Sequence, residues 1–156
     1  MDCCYRVLAI NPGSTSTKIG VFKNEKCLIE INVSHSPKQL EQYDNIWDQY
    51  TFRKEEIITA LEKKNFDIRE LDAVVGRGGL IKPIPSGTYN IDQEMINDAR
   101  IGYQGQHASN LGCVIAYSIG WEYSIPSYIV DPPAVDDFEP IARISGHKDF
   151  ERTSLL

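Results

Sequence analysis

The sequence predicts an α/β protein with a mixed sheet that opens on a three-strand antiparallel meander and carries flanking helices. Three observations lead there. Residues 5–10, 19–23 and 27–33 are β-rich apolar runs separated by polar turns, the pattern of successive hairpins. Phe52 to Lys64 then has helical period, with Ile57, Ile58 and Leu61 on one face and Arg53, Lys54, Glu55, Glu56 and Glu62 covering the rest. Two further apolar runs, Leu71 to Val75 and the run before Asp131, alternate with helical patterns, which layers helices against the sheet.

The remaining elements follow in order. Pro37 opens a polar stretch, Lys38 to Tyr50, that reads as one or two short helices with aromatic contacts at Tyr43, Trp47 and Tyr50. Asn65 ends the amphipathic helix. Lys82 to Gly87 is an irregular loop, Thr88–Ile91 a short strand, and Asp92 caps a helix to about Arg100. Gly102 and Gly105 break the chain before a second helix with His107 near its start and Leu111, Val114, Ile115 and Tyr117 further on. After Asp131 the chain is turn-rich. Lys148 to Leu156 has the makings of a helix start, and Leu155–Leu156 end it mid-pattern without a capping signal, which predicts a truncated chain.

Chemistry concentrates at the ends of these runs. Between the first two strands lies Asn11–Pro12–Gly13–Ser14–Thr15–Ser16–Thr17–Lys18: a Gly, hydroxyls and a cation, suited to presenting N–H groups, hydroxyls and charge to phosphate. Its spacing is not G-x-x-x-x-G-K-[ST], and the same composition also suits a polar turn between core strands. Gly76–Arg77–Gly78–Gly79 ends the fourth strand with a guanidinium able to bind carboxylate or phosphate, or simply with a solvated Gly-rich turn. Asp131 follows the last apolar run and is fixed by Pro132–Pro133, where an acidic group can hold Mg²⁺ or begin an X-Pro turn.

Composition sets the limits. The 156 residues fit one domain, 1–156, and the hydrophobic fraction of 42% with 24% charged residues is ordinary for a globular chain. A net charge of −6 argues against nucleic acid as partner, while Lys18 and Arg77 still permit a local anion pocket. No apolar run has the length of a membrane span and no signal peptide is evident, so no membrane is expected. Cys3, Cys4, Cys27 and Cys113 form no C-x-x-C pair and read as reduced thiols of a cytoplasmic protein, with Cys113 packed in a helix.

Taken together, Asn11–Lys18, Gly76–Gly79, Gln106–His107–Ala108–Ser109–Asn110–Leu111–Gly112 and Val130–Asp137 resemble the acetate/butyrate kinase family, in the superfamily that includes actin, sugar kinases and the Hsp70 ATPase domain. The resemblance covers essentially the whole chain but less than half of the family's usual length. It implies a ribonuclease-H-like (actin-like ATPase) half-domain, with the family's C-terminal nucleotide-binding domain missing. It also implies reversible phosphoryl transfer between ATP and a short-chain carboxylate, with Mg²⁺ as cofactor. On this resemblance Asn11, Gly13, Ser14, Ser16 and Lys18 form the phosphate loop, with Asn11 and Asp131 near the metal. Arg77 holds the carboxylate or the transferring phosphoryl group, His107 lies near the substrate, and Asp131 is the catalytic acidic residue.

The loop Ser14–Thr15–Ser16–Thr17 and the prolines after Asp131 depart from the acetate pattern and favour the butyrate-type branch. The resemblance further implies a homo-oligomer at full length and little or no kinase activity for this chain without its other half. The competing reading is a non-catalytic remnant that binds phosphate or a protein. Sugar kinases and Hsp70-like ATPases lack the Gly76–Gly79 loop in this register and fit less well.

Overall fold

A computed structural model describes residues 4–154. Six strands form one sheet: β1 (Arg6–Pro12), β2 (Ser16–Lys23), β3 (Lys26–Ser34), β4 (Ala73–Gly76), β5 (Thr88–Asn90) and β6 (Ser127–Val130), in the order β3-β2-β1-β4-β6-β5. The meander β1–β2–β3 is antiparallel, β4 and β6 run parallel to β1, and β5 pairs antiparallel to β6 at the edge. The helices are α1 (Pro37–Leu40), α2 (Tyr50–Glu62), α3 (Gln93–Ile101) and α4 (Asn110–Tyr123). The mixed α/β class expected from the sequence is therefore observed.

Alternation along the strands decides which face is buried. Leu8 and Ile10 of β1, Ile19 and Val21 of β2, Val74 of β4 and Ile129 of β6 all point to one face and are almost wholly buried. On that face α4 packs against β1, β4 and β6, α2 packs against β2 and β3, and α3 lies on α4. Residues of the alternate set, Ala9, Gly20, Phe22, Val75 and Val130, line an open hollow on the sheet's other face. Cys113 is fully buried in α4, and burial pushes its thiol up to about 12. Cys4 and Cys27 are free and exposed, and Cys3 lies outside the described residues.

Local signals explain most boundaries. Ser36 caps α1 with a reciprocal Gln39 bond, and Asp92 caps α3 by accepting from the Met95 N–H at 2.8 Å. Asn65 takes a left-handed φ of 55°, and Phe66 N–H returns to the Leu61 carbonyl, which ends α2.

Three expectations need correction. His107 is not in a helix: α4 begins at Asn110, and His107 lies in the turn before it. Residues 148–154 form no helix. Instead Ile144 bridges Glu151, and Arg152 N–H bonds the Arg143 carbonyl, folding the segment back on itself. Leu155 and Leu156 lie outside the described residues. Arg53 does not cover a solvated face. It lies 1% exposed on the same stripe as Ile57 and Leu61, the i, i+4, i+8 positions of α2.

The closest packing is between β4 and α4. A Cβ at Gly76 would stand 2.1 Å from the Gly112 carbonyl oxygen, so strand and helix backbones touch with no side chain between them. Gly76→Ala is expected to lower unfolding stability by about 3 kcal/mol, because rigid backbone on both sides must yield. Urea unfolding of the purified chain measures this, and a midpoint unchanged from wild type would contradict the packing.

Candidate functional site

The parallel strands β1, β4 and β6 all end at the same edge of the sheet, where ligands of α/β folds gather. A cleft of about 640 Å³ opens there. The β1–β2 hairpin, β3, the loop after β4 and the turn before α4 build most of its wall. Asn11, Gly13, Ser14, Ser16, Lys18, Arg77 and His107, all singled out from the sequence, line it together with Glu30, Asn32 and Ser109.

The hairpin differs in form from the expected loop. Asn11 and Lys18 are strand residues, opposite one another in the β1–β2 register, and only Gly13, Ser14 and Thr15 lie between the strands. The turn is closed by Gly13 N–H donating to the Ser16 carbonyl at 2.7 Å. Lys18 is not a free cation: its Nζ is 2.6 Å from Glu30 of β3, and that carboxylate raises its pKa. Both side chains are well exposed, so the pair is screened by water.

Carbonyl groups of this turn all face the protein. Arg53 Nη1 donates to the Gly13 carbonyl at 2.7 Å and to that of Ser16 at 3.4 Å, and Nη2 donates to the Ser14 carbonyl at 3.0 Å. The Thr15 carbonyl accepts from His35 N–H at 2.9 Å. By contrast, the N–H groups of Ser14 and Thr15 meet no acceptor among the described residues. Buried Gln49 holds the guanidinium from behind, its Oε1 accepting from Nε at 3.1 Å and Nη2 at 2.8 Å. Burial lowers the Arg53 pKa to about 10, which leaves it charged at neutral pH.

Arg77 follows β4, and its backbone N–H extends the ladder to the Ile10 carbonyl at 3.0 Å. Its Nη1 lies 3.5 Å from Asn11 Oδ1, a long contact that leaves most of the guanidinium's donors available. The glycines beside it serve packing: a Cβ at Gly79 would meet the Asn110 Cα at 2.5 Å. Asn110, buried at the start of α4, then fastens the loop by accepting from Leu80 N–H at 2.9 Å and donating to the Ala99 and Gly105 carbonyls. His107 Nδ1 accepts from Ser109 N–H at 3.2 Å, so in the neutral ring Nε2 carries the proton and is the donor available to the cleft.

Asp131 stands apart from this lining. Its backbone has φ 39°, an unfavourable value for a residue with a Cβ, and it is held by two bonds to Gly87. Its N–H donates to the Gly87 carbonyl at 3.1 Å, and its Oδ1 accepts from Gly87 N–H at 2.7 Å. The other carboxylate oxygen meets no donor among the described residues. Those residues contain no cluster of three or more His, Cys, Asp or Glu able to hold a metal ion by themselves. No helix among them is long and apolar enough to cross a membrane.

Sequence reasoning missed Gln49, Arg53 and His35, the support of the turn, and Glu30, the partner of Lys18. The first two were signalled by spacing: Gln49, Arg53, Ile57 and Leu61 recur every four residues, and all four are buried.

Comparison with known proteins gives the class first. The structure aligns with Porphyromonas gingivalis acetate kinase at a TM-score of 0.54 and 17% identity, over 81% of this chain and 37% of that one. Entamoeba histolytica acetate kinase aligns at 0.50 and 15% identity, over 91% and 39%. The fold is thus the ribonuclease-H-like, actin-like ATPase fold of acetate kinases. In sequence, the chain is 52% identical to butyrate kinase 1 of Clostridium acetobutylicum over 152 residues, 97% of this chain and 43% of the relative. It is 52% identical to a probable butyrate kinase of Clostridium botulinum (strain Eklund 17B / Type B) over 150 residues, 96% of this chain and 42% of the relative. No protein-family model matches the chain. The chain is similar to butyrate kinases over nearly its whole length, and it spans less than half of theirs.

His35 supplies a test of the turn's support. It is 3% exposed, its Nε2 shares a 2.9 Å hydrogen bond with Thr17 Oγ1, and its Nδ1 is buried without a partner among the described residues. Desolvation, reinforced by the Arg53 charge, lowers its pKa from 6.5 to about 4. The unfolded chain therefore takes up a proton between pH 6.5 and 4 that the folded chain refuses. Stability is full above pH 6.5 and falls by about 3 kcal/mol as the pH drops to 4. Asp67, Asp136 and Asp137, all held below 3.8, give up their contribution only at lower pH. Urea midpoints of wild type and His35→Gln across pH 7.5 to 4.5 check this: the variant is expected to show a much flatter profile.

Proposed function

We propose that this chain is the N-terminal portion of a butyrate-type carboxylate kinase, reversibly transferring the γ-phosphoryl group of ATP to butyrate or a related short-chain carboxylate. The observation that carries the reading is the convergence, in one cleft, of the β1–β2 turn, Lys18, Arg77 and His107. The 52% identity to butyrate kinases supports the substrate class. A substrate oxygen attacks the γ-phosphorus, the bond to the β,γ-bridging oxygen breaks, and ADP leaves. Because a carboxylate is already ionised near neutral pH, the site needs no strong base. What it needs is positive potential, since two anions must approach in line.

On this reading Arg77 pairs with the substrate carboxylate or the transferring phosphoryl group through its open donors. Ser14, Ser16 and Lys18 receive phosphate oxygens beside Gly13, whose own N–H closes the turn, and His107 Nε2–H donates to the substrate. Asn11 Oδ1 and the unbonded oxygen of Asp131 would hold Mg²⁺, an ion that beside substrate phosphates needs only one or two protein oxygens. When bound, the ion neutralises phosphate charge. A second, C-terminal domain supplies the adenosine pocket and closes the cleft. Without it, water exclusion fails, and the isolated chain turns over little or not at all.

Acyl phosphate trapped as a hydroxamate, with MgATP and butyrate, tests the proposal. The chain alone is expected to give little or no product, and a second chain carrying the remaining part of a butyrate kinase to restore it. In the complemented enzyme, Arg77→Ala and Asp131→Asn should each lower kcat at least 100-fold. No product after complementation, with the second chain shown to bind, would overturn the kinase reading and favour a phosphate- or protein-binding remnant.

A further inference from the structure

The turn at residues 13–16 carries four carbonyl groups beside two uncommitted N–H groups, and an anion would be repelled by any carbonyl that faced it. All four carbonyls are engaged on the protein side, three of them by one side chain, Arg53. A peptide unit is planar, so a carbonyl drawn one way sends its N–H the other. We propose that Arg53 is the positioning residue of this turn. By binding the Gly13, Ser14 and Ser16 carbonyls it turns these peptides inward and leaves the Ser14 and Thr15 N–H groups as a donor face for a polyphosphate. The proposal deepens the kinase reading and rests on it for the identity of the anion.

The geometry needs arginine. Its fork reaches three carbonyls and the Thr17 hydroxyl from Nη1 and Nη2, while Nε and Nη2 are tied to Gln49. An ammonium group has three donors at a single point and cannot span the same acceptors. Placement on α2 matters equally: Arg53 is one helical turn from Ile57, whose side chain is wholly buried, so the guanidinium is delivered by a rigid element. The buried charge also adds positive potential behind the turn without occupying the cleft, from whose lining it is absent.

Arg53→Lys and Gln49→Leu test this, the second keeping the charge but removing its anchor. Ile57→Val, a core change in the same helix, controls for general loss of stability. Two readouts are taken on the purified chain at a temperature where every variant is folded: amide exchange and chemical shifts at Gly13, Ser14 and Thr15, and the affinity for inorganic tripolyphosphate. Arg53→Lys is expected to speed Gly13 amide exchange at least tenfold and weaken tripolyphosphate at least fivefold. Gln49→Leu should do the same to a lesser extent, and Ile57→Val should leave both within twofold.

Unchanged exchange and shifts in both Arg53→Lys and Gln49→Leu would overturn the positioning role, whatever the ligand does. Faster exchange with unchanged tripolyphosphate affinity would overturn the link between turn orientation and anion binding. If the wild-type chain binds no tripolyphosphate, the anion reading of the cleft fails, while the exchange arm still decides what Arg53 does to the turn.

Discussion

The contact between β4 and the first turn of α4 fixes most of the cleft. With glycine at both 76 and 112, backbone meets backbone, and the register of strand against helix has no freedom to slide. Three consequences follow from that one constraint. The loop after β4 must leave the sheet directly over the helix start, which places Arg77 beside Asn11. The turn before α4 must close on the same side, which brings His107 and Ser109 into the wall. Asn110 then locks both segments with bonds to Leu80, Ala99 and Gly105. A buried amide with three committed hydrogen bonds tolerates little displacement, since each broken bond strands a polar group away from water.

The hairpin side of the cleft is held by different physics. There the chain is short and its four carbonyls are close together, so local backbone bonds alone satisfy only the Ser16 carbonyl. A charged fork from α2 and the backbone of His35 satisfy the rest. Burying a guanidinium is unfavourable unless its donors are occupied. Here Gln49, Thr17 and the turn occupy them, which explains why polar side chains share a stripe with Ile57 and Leu61. His35 completes the cluster as a neutral ring, because burial disfavours its charged form and Arg53 beside it would repel a second cation.

Much of this was legible in the sequence, and the failures have a common cause. Strands β1 to β6, helices α2 to α4 and the capping residues follow from local signals: apolar alternation, Asp92 before a helix, Asn65 after one. The 11–18 segment and Arg77 were singled out from the residue types at strand ends and His107 from the family resemblance, and the fold does bring Asn11, Gly13, Ser14, Ser16, Lys18, Arg77 and His107 to one cleft. What could not be read was the pairing between distant segments. Arg53 and the turn it holds are 37 to 40 residues apart, and charge patterning alone assigns an arginine beside lysine and two glutamates to solvent. The four-residue spacing with Gln49, Ile57 and Leu61 held the contrary signal. Likewise the glycines around Arg77 also suit a solvated Gly-rich turn, whereas Gly76 and Gly79 are required by the helix behind them.

The Lys18–Glu30 pair bears on whether such a cleft suits phosphate at all. A lysine already matched to a carboxylate could be taken as unavailable, and Glu30 as a repulsive presence in the wall. Exposure decides the point. Both side chains keep more than half of their surface in water, where an ion pair gains little over separate hydration and is readily exchanged. Arg53, in contrast, is enclosed, and its field toward the cleft is not screened to the same degree. With an overall charge of −6 the chain as a whole repels anions at long range, so any attraction must arise within the cleft. On the proposed reading the fixed charge behind the turn, the Ser14 and Thr15 N–H groups and Arg77 would supply it, and Lys18 would leave Glu30 for a phosphate oxygen at small cost.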